Sequence, residues 1–179
     1  SAQMQLLRSI ASLGLSARMQ SKIKVRQPLA KIEVILVEST HQEWLEAHDA
    51  LLRAELNVKE IEYTQEADEY ITYDVLPNFK RLGPRVGKHM PAVKRTLADA
   101  DGKQLLAELT SNGTLSIEVD GEQIELNDED IQVRLQAKEG WAAAQGPDCV
   151  VVLSMGLTDE LVREGYARDL VRLIQDLRK

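Results

Sequence analysis

Lys31-Ile32-Glu33-Val34-Ile35-Leu36-Val37 is the stretch on which the fold turns. It is rich in β-branched residues and nearly continuously apolar, the pattern of a strand covered on both faces. Ser39 or Thr40 can cap a following helix that runs to about Leu56, with Glu43 in its first turn and Trp44, Leu45, Leu51, Leu52 and Leu56 as apolar contacts. Strands are expected next over Lys59 to Thr64 and Glu69 to Leu76, which makes a βαββ unit. Upstream, Leu6, Leu7, Ile10, Leu13, Ala17 and Ile23 recur at helical spacing between Gln5 and Val25, with Pro28 as the stop.

Downstream, Pro77, Gly83, Pro84 and Gly87 read as a basic loop, and Pro91 opens a helix reaching about Ala100. Asp101 caps a shorter helix that Asn112-Gly113 can close. An Asp120-Gly121 turn sets a hairpin in register, placing Ile117 opposite Ile124 and Leu115 opposite Leu126, with Glu118 and Gln123 facing water. Ile131, Val133, Leu135 and Ala137 alternate with polar residues, as in a half-buried strand, and Cys149 to Leu153 is a wholly apolar one. Thr158 starts a last helix with Leu161, Leu170, Val171, Ile174 and Leu177 as its stripe. The expectation is an α+β fold: a mixed or antiparallel sheet of six or seven strands with packed helices, preceded by an N-terminal helix.

The 179 residues allow one domain or two very small ones, and 44% apolar with 28% charged residues is ordinary for a folded chain. No run is apolar enough to span a bilayer, and the opening Ser1-Ala2-Gln3-Met4 lacks a signal-peptide pattern. One cysteine, Cys149, cannot form an internal disulfide, so a reducing, cytoplasmic setting is expected and a buried inert thiol with it.

The net charge of −7 hides an uneven distribution. Residues 1–32 hold Arg8, Arg18, Lys22, Lys24, Arg26 and Lys31 with no acid, and residues 79–95 hold Lys80, Arg81, Arg85, Lys88, Lys94 and Arg95 with none. Acids dominate residues 96–162 instead, so a basic surface can coexist with a negative total. Two such strips suit a phosphate backbone or are simply solvated faces. Phe79, beside Lys80 and Arg81, can stack on a base or anchor the loop in the core.

Other chemistries find no support. Three histidines and one cysteine cannot build a structural zinc cluster, and His41 and His48, seven residues apart, would be about 10 Å apart along one helix. Gly83-Pro84-Arg85-Val86-Gly87-Lys88 has three residues between its glycines and His89 after the lysine, so it is not a nucleoside-triphosphate loop. No nucleophile elbow is present, and no acid pair stands out.

Several segments together resemble one family. Val25-Arg26-Gln27-Pro28-Leu29 before an apolar strand, Pro77 through Lys88, Gly140-Trp141-Ala142-Ala143, and Leu157-Thr158 through Arg178-Lys179 are similar to the C-terminal region of isoleucyl-tRNA synthetases. The likeness is greatest to the subgroup resembling eukaryotic cytosolic enzymes, which lacks a C-terminal zinc cluster. It implies that residues 1–28 are the last helix of a helical anticodon-binding bundle and that 29–179 form an α+β tRNA-binding domain. The family's His-Ile-Gly-His and Lys-Met-Ser-Lys-Ser signatures are missing from this sequence. Catalysis, with its ATP and magnesium, would therefore belong to other parts of such an enzyme, with no catalytic residue, metal or cofactor in this one. The implied partners are isoleucine tRNA and the remainder of the synthetase chain. The implied RNA-binding residues are Phe79, Lys80, Arg81, Arg85 and Lys88, with Arg18, Lys22, Lys24 and Arg26 as a second strip. The competing expectation is a structural or protein-interaction appendage that does not touch RNA.

Overall fold

The computed structural model describes residues 1–178; Lys179, the end of the closing segment, lies outside them. The chain forms two compact units: residues 1–71 with 137–179, and residues 72–136. The first helix, α1 (Ala2–Gln20), buries Leu6, Leu7, Ile10 and Ala17 in the core of the first unit.

In the first unit, β1 (Leu29–Leu36) pairs in parallel with β2 (Val58–Thr64) and antiparallel with β8 (Cys149–Ser154), and β7 (Trp141–Gln145) completes the order β2-β1-β8-β7. A parallel pair needs a crossover. Here a 3-10 turn leads into α2 (Gln42–Ala47) and α3 (Asp49–Leu56), which break at His48 where one continuous helix was expected. His48 stacks on Trp44 at 4.0 Å, its Nδ1 lies 2.7 Å from the Trp44 carbonyl oxygen, and no side chain of Ser39 or Thr40 caps the segment. The continuous apolar runs of β1 and β8 are buried as their sequences require, with Cys149 inside and its thiol pushed up to about 11 by burial. Glu33 is the polar exception in β1. Its carboxylate is 2.7 Å from Lys31 Nζ, and burial pushes it above the ordinary carboxylate range.

In the second unit, β4 (Thr114–Val119) and β5 (Glu122–Asn127) form the hairpin in the expected register, because Asp120 and Gly121 both take positive φ, 51° and 80°. Their apolar face meets α4 (Phe79–Val86), α5 (Met90–Asp99) and α6 (Gly102–Asn112) through Leu82, Val86, Val93, Leu97, Leu105, Leu115, Ile117 and Leu126. Asp101 caps α6 and Gly113 closes it with φ 74°. The third strand, β3 (Ile71–Pro77), pairs with β6 (Ile131–Ala137) instead of extending the βαββ sheet. Val133, expected on the buried face of β6, is exposed. The α+β expectation with an N-terminal helix holds, and the strands are divided among a four-stranded sheet and two pairs.

The final helix, α7 (Asp159–Leu177), is capped by Thr158, whose Oγ1 accepts from the Leu161 amide. Only its beginning docks. Leu161 and Gly165 are buried, whereas Leu170, Val171, Leu173, Ile174 and Leu177 are exposed, so the apolar stripe of its distal half has no cover among the described residues.

Candidate nucleic-acid interface

The basic segment 79–88, expected as a loop, is largely helical. Leu82 and Val86, four residues apart, are 0% and 8% exposed and tie α4 to the core of its unit. That burial outweighs Pro84, which removes one amide donor within the helix. The turn arrives at Gly87, with φ 41°. With Leu82 and Val86 facing inward, the remaining side chains sort by helical angle. Lys80 and Pro84 lie opposite the core, Arg81 and Arg85 share one flank, and Phe79 lies on the other.

Phe79 is 55% exposed, so it does not anchor the segment in the core. Lys80 and Lys88 are exposed and form no ion pair among the described residues. The two arginines are different. Arg81 Nε donates to Asp130 Oδ1 at 3.2 Å, and Arg85 Nη1 donates to Oδ2 at 2.8 Å. Arg85 Nη2 also donates to the Glu125 carbonyl at 2.9 Å, and Arg81 Nη1 lies 2.6 Å from Glu129 Oε2.

Asp130 is the centre of this arrangement. It ends a 3-10 turn (Asp128–Asp130) in which Asn127 Oδ1 accepts from the Glu129 and Asp130 amides, while Asp130 Oδ2 accepts from the Asn127 amide. The Asp130 carbonyl in turn accepts from the Asn78 amide at 2.8 Å, fastening the turn to the start of α4. The side chain is 1% exposed. Burial opposes its ionisation, but the Asn127 amide, Arg85 and Arg81 together outweigh burial and hold the carboxyl below the usual range. The charge pattern does not single out Asp130 or Glu129; their signal in the sequence is Asn127 three residues before Asp130, the spacing of a reciprocal cap.

In the first unit the four cations of the expected second strip separate. Arg18 is not on a surface: it is 1% exposed, and its guanidinium donates to the carbonyls of Leu56, Lys24, Gln27 and Asn57 at 2.8–3.0 Å. Burial pulls its pKa down to about 10. It is removed from the strip because its donors already hold the turn after α1, which ends at Gln20 rather than at Pro28. Arg26 is paired with Asp169 of α7 at 2.5 Å. Lys22 (φ 58°) and Lys24 are exposed, and with Tyr166 they line an open cleft of about 260 Å³.

Along nearly its whole length the chain is similar to enzymes that ligate isoleucine to tRNA. It is 37% identical over 178 residues to the isoleucine–tRNA ligase of Bacteroides fragilis, covering 99% of this chain and 16% of that protein. It is 38% identical over 177 residues to that of Chlamydia muridarum, covering 99% and 17%. It is 38% identical over 180 residues to that of Thermobifida fusca, covering 100% and 17%. Its relatives are isoleucine–tRNA ligases. The chain spans about one sixth of the length of these relatives. No family model matches it.

Two of the ligase-like segments meet in space. Gln27 Nε2 donates to the Leu161 carbonyl at 2.7 Å, and Arg26 pairs with Asp169, so Val25–Leu29 and the start of α7 form one joint. Gly165 gives that side chain room: a Cβ on it would sit 2.3 Å from Gln27 Oε1, so a larger residue would displace the end of Gln27.

Proposed function

We propose that this chain is a C-terminal portion of an isoleucine–tRNA ligase, and that it holds the anticodon stem and loop of isoleucine tRNA while other domains carry out ATP-dependent aminoacylation in the cytoplasm. The observation that carries the reading is the similarity of the whole chain to isoleucine–tRNA ligases. The exposed cations support it. Lys80, Lys88, Arg81 and Arg85 would pair with phosphates, Phe79 would stack on a base, and Lys22 and Lys24 would contact the backbone from the first unit.

Lys80→Glu combined with Lys88→Glu is the direct test, since both side chains are exposed and neither is ion-paired among the described residues. The double variant should bind isoleucine tRNA at least about tenfold more weakly and flatten the dependence of log K on log salt, because each phosphate contact releases counterions. Unchanged affinity and slope would reject these residues as the interface.

One observation favours a second reading, in which the chain is an appendage packed against the rest of a synthetase. It is the uncovered stripe of Leu170, Leu173, Ile174 and Leu177 on α7. On that reading, serine at Leu170 and Leu173 would lower the thermal stability of an assembled ligase and leave the tRNA affinity of this chain unchanged.

A further inference from the structure

Arg81 stands between two carboxylates that differ in every physical respect. Asp130, on one side, is 1% exposed, accepts from both Arg81 and Arg85, and belongs to the core of its unit. Glu129, on the other side, has a side chain 65% exposed, which among the described residues meets Arg81 through the 2.6 Å contact of Oε2 with Nη1. The Glu129 backbone is held independently of that contact. Its amide donates to Asn127 Oδ1, and its carbonyl accepts from the Asn78 side chain. The inner carboxylate thus fixes the guanidinium plane, and the outer one occupies its solvent edge without being needed by the fold.

A solvent-exposed ion pair is worth little, whereas a phosphate oxygen on a planar, pre-oriented guanidinium makes short charge-assisted bonds. We propose that the outer edge of Arg81 is a phosphate-binding position for the tRNA backbone and that Glu129 occupies it as an intramolecular stand-in which the phosphate displaces. Asp130 is then a positioning residue: it holds Arg81 and Arg85 side by side while leaving the outer donor of Arg81 to the RNA. Exposed Lys80, on the same helix, adds a second charge without a partner to displace. This inference rests on the RNA-binding reading above and names one contact within it.

The experiment is a double-mutant cycle on tRNA affinity, using the chain as it stands, Glu129→Gln, Arg81→Gln and the pair, titrated with an isoleucine tRNA transcript at two salt concentrations. Glu129→Gln should tighten binding about two- to fivefold, the cost of displacing a surface ion pair, and the gain should vanish in the Arg81→Gln background. Equal tightening in both backgrounds would show only the removal of a negative charge and would overturn the proposal. No tightening by Glu129→Gln in the chain that keeps Arg81 would overturn it too. Circular dichroism checks each variant. If Arg81→Gln unfolds, Arg81→Lys takes its place, since one ammonium cannot reproduce the fork that bonds Asp130 and an outer oxyanion together. Failure of the unaltered chain to bind tRNA at low salt defeats the RNA-binding reading itself, and is seen before any variant is measured. Binding without coupling defeats only the Arg81–Glu129 assignment.

Discussion

The two acid-free basic stretches look alike in sequence and behave oppositely in the fold. In the first unit, one arginine of the stretch is internal: Arg18 spends its guanidinium on four backbone carbonyls, and Arg26 is committed to Asp169. In the second unit, the stretch begins with a short helix whose core-facing residues are Leu82 and Val86, so Lys80 points outward and the Arg81–Arg85 flank is tied back through Asp130, while Lys88, Lys94 and Arg95, beyond that helix, are exposed. A count of lysines and arginines describes both equally. What separates them is whether a cation finds carbonyls and a carboxylate inside the fold or water outside it, and long-range packing decides that.

The comparison breaks most sharply at Arg18. Arg18→Met should destabilise the first unit by about 3–5 kcal/mol, because four carbonyls lose a charged donor in a buried place. Urea denaturation would measure this, and the tRNA affinity of the remaining folded protein should not change. A fall in affinity without a fall in stability would mean that Arg18 reaches the RNA after all.

Asp130→Asn should have the next largest effect, about 2–3 kcal/mol in the second unit, since it weakens one acceptor shared by two arginines and an amide. The pH dependence has a definite sign. A carboxyl held below its usual range contributes stability that is present above about pH 4, and that contribution is lost as the pH falls through the folded value. The gap in urea midpoint between the two proteins should therefore be widest near pH 6 and close on acidification below about pH 4. A gap independent of pH would show that Asp130 acts by shape rather than by charge.

What the sequence disclosed follows the same division between local and distant causes. The β4–β5 register was legible because Asp120-Gly121 dictates the turn, and β8 because five apolar residues in a row leave no exposed face. The helix α4 was not legible. Gly83 and Pro84 are local breakers, and the force that overrides them is burial of Leu82 and Val86 against residues far along the chain. Strand β7 was missed for a related reason: Trp-Ala-Ala-Ala-Gln has weak strand preference and takes its conformation from pairing with β8. At the candidate interface, the exposure of Lys80 and Lys88 agrees with their charge pattern. The sequestration of Arg18 depends in part, through Leu56 and Asn57, and the charge pairing of Asp130 wholly, through Arg81 and Arg85, on partners about 40 to 50 residues distant in sequence.

The proposed grip on isoleucine tRNA runs through outward cations of the second unit and exposed lysines of the first. Fluorescence anisotropy with isoleucine tRNA and a non-cognate tRNA, each at two salt concentrations, tests that grip. The expected result is salt-sensitive binding that is tighter for the isoleucine tRNA. Equal affinity for both tRNAs, or no binding at low salt by a chain that circular dichroism shows to be folded, would contradict it.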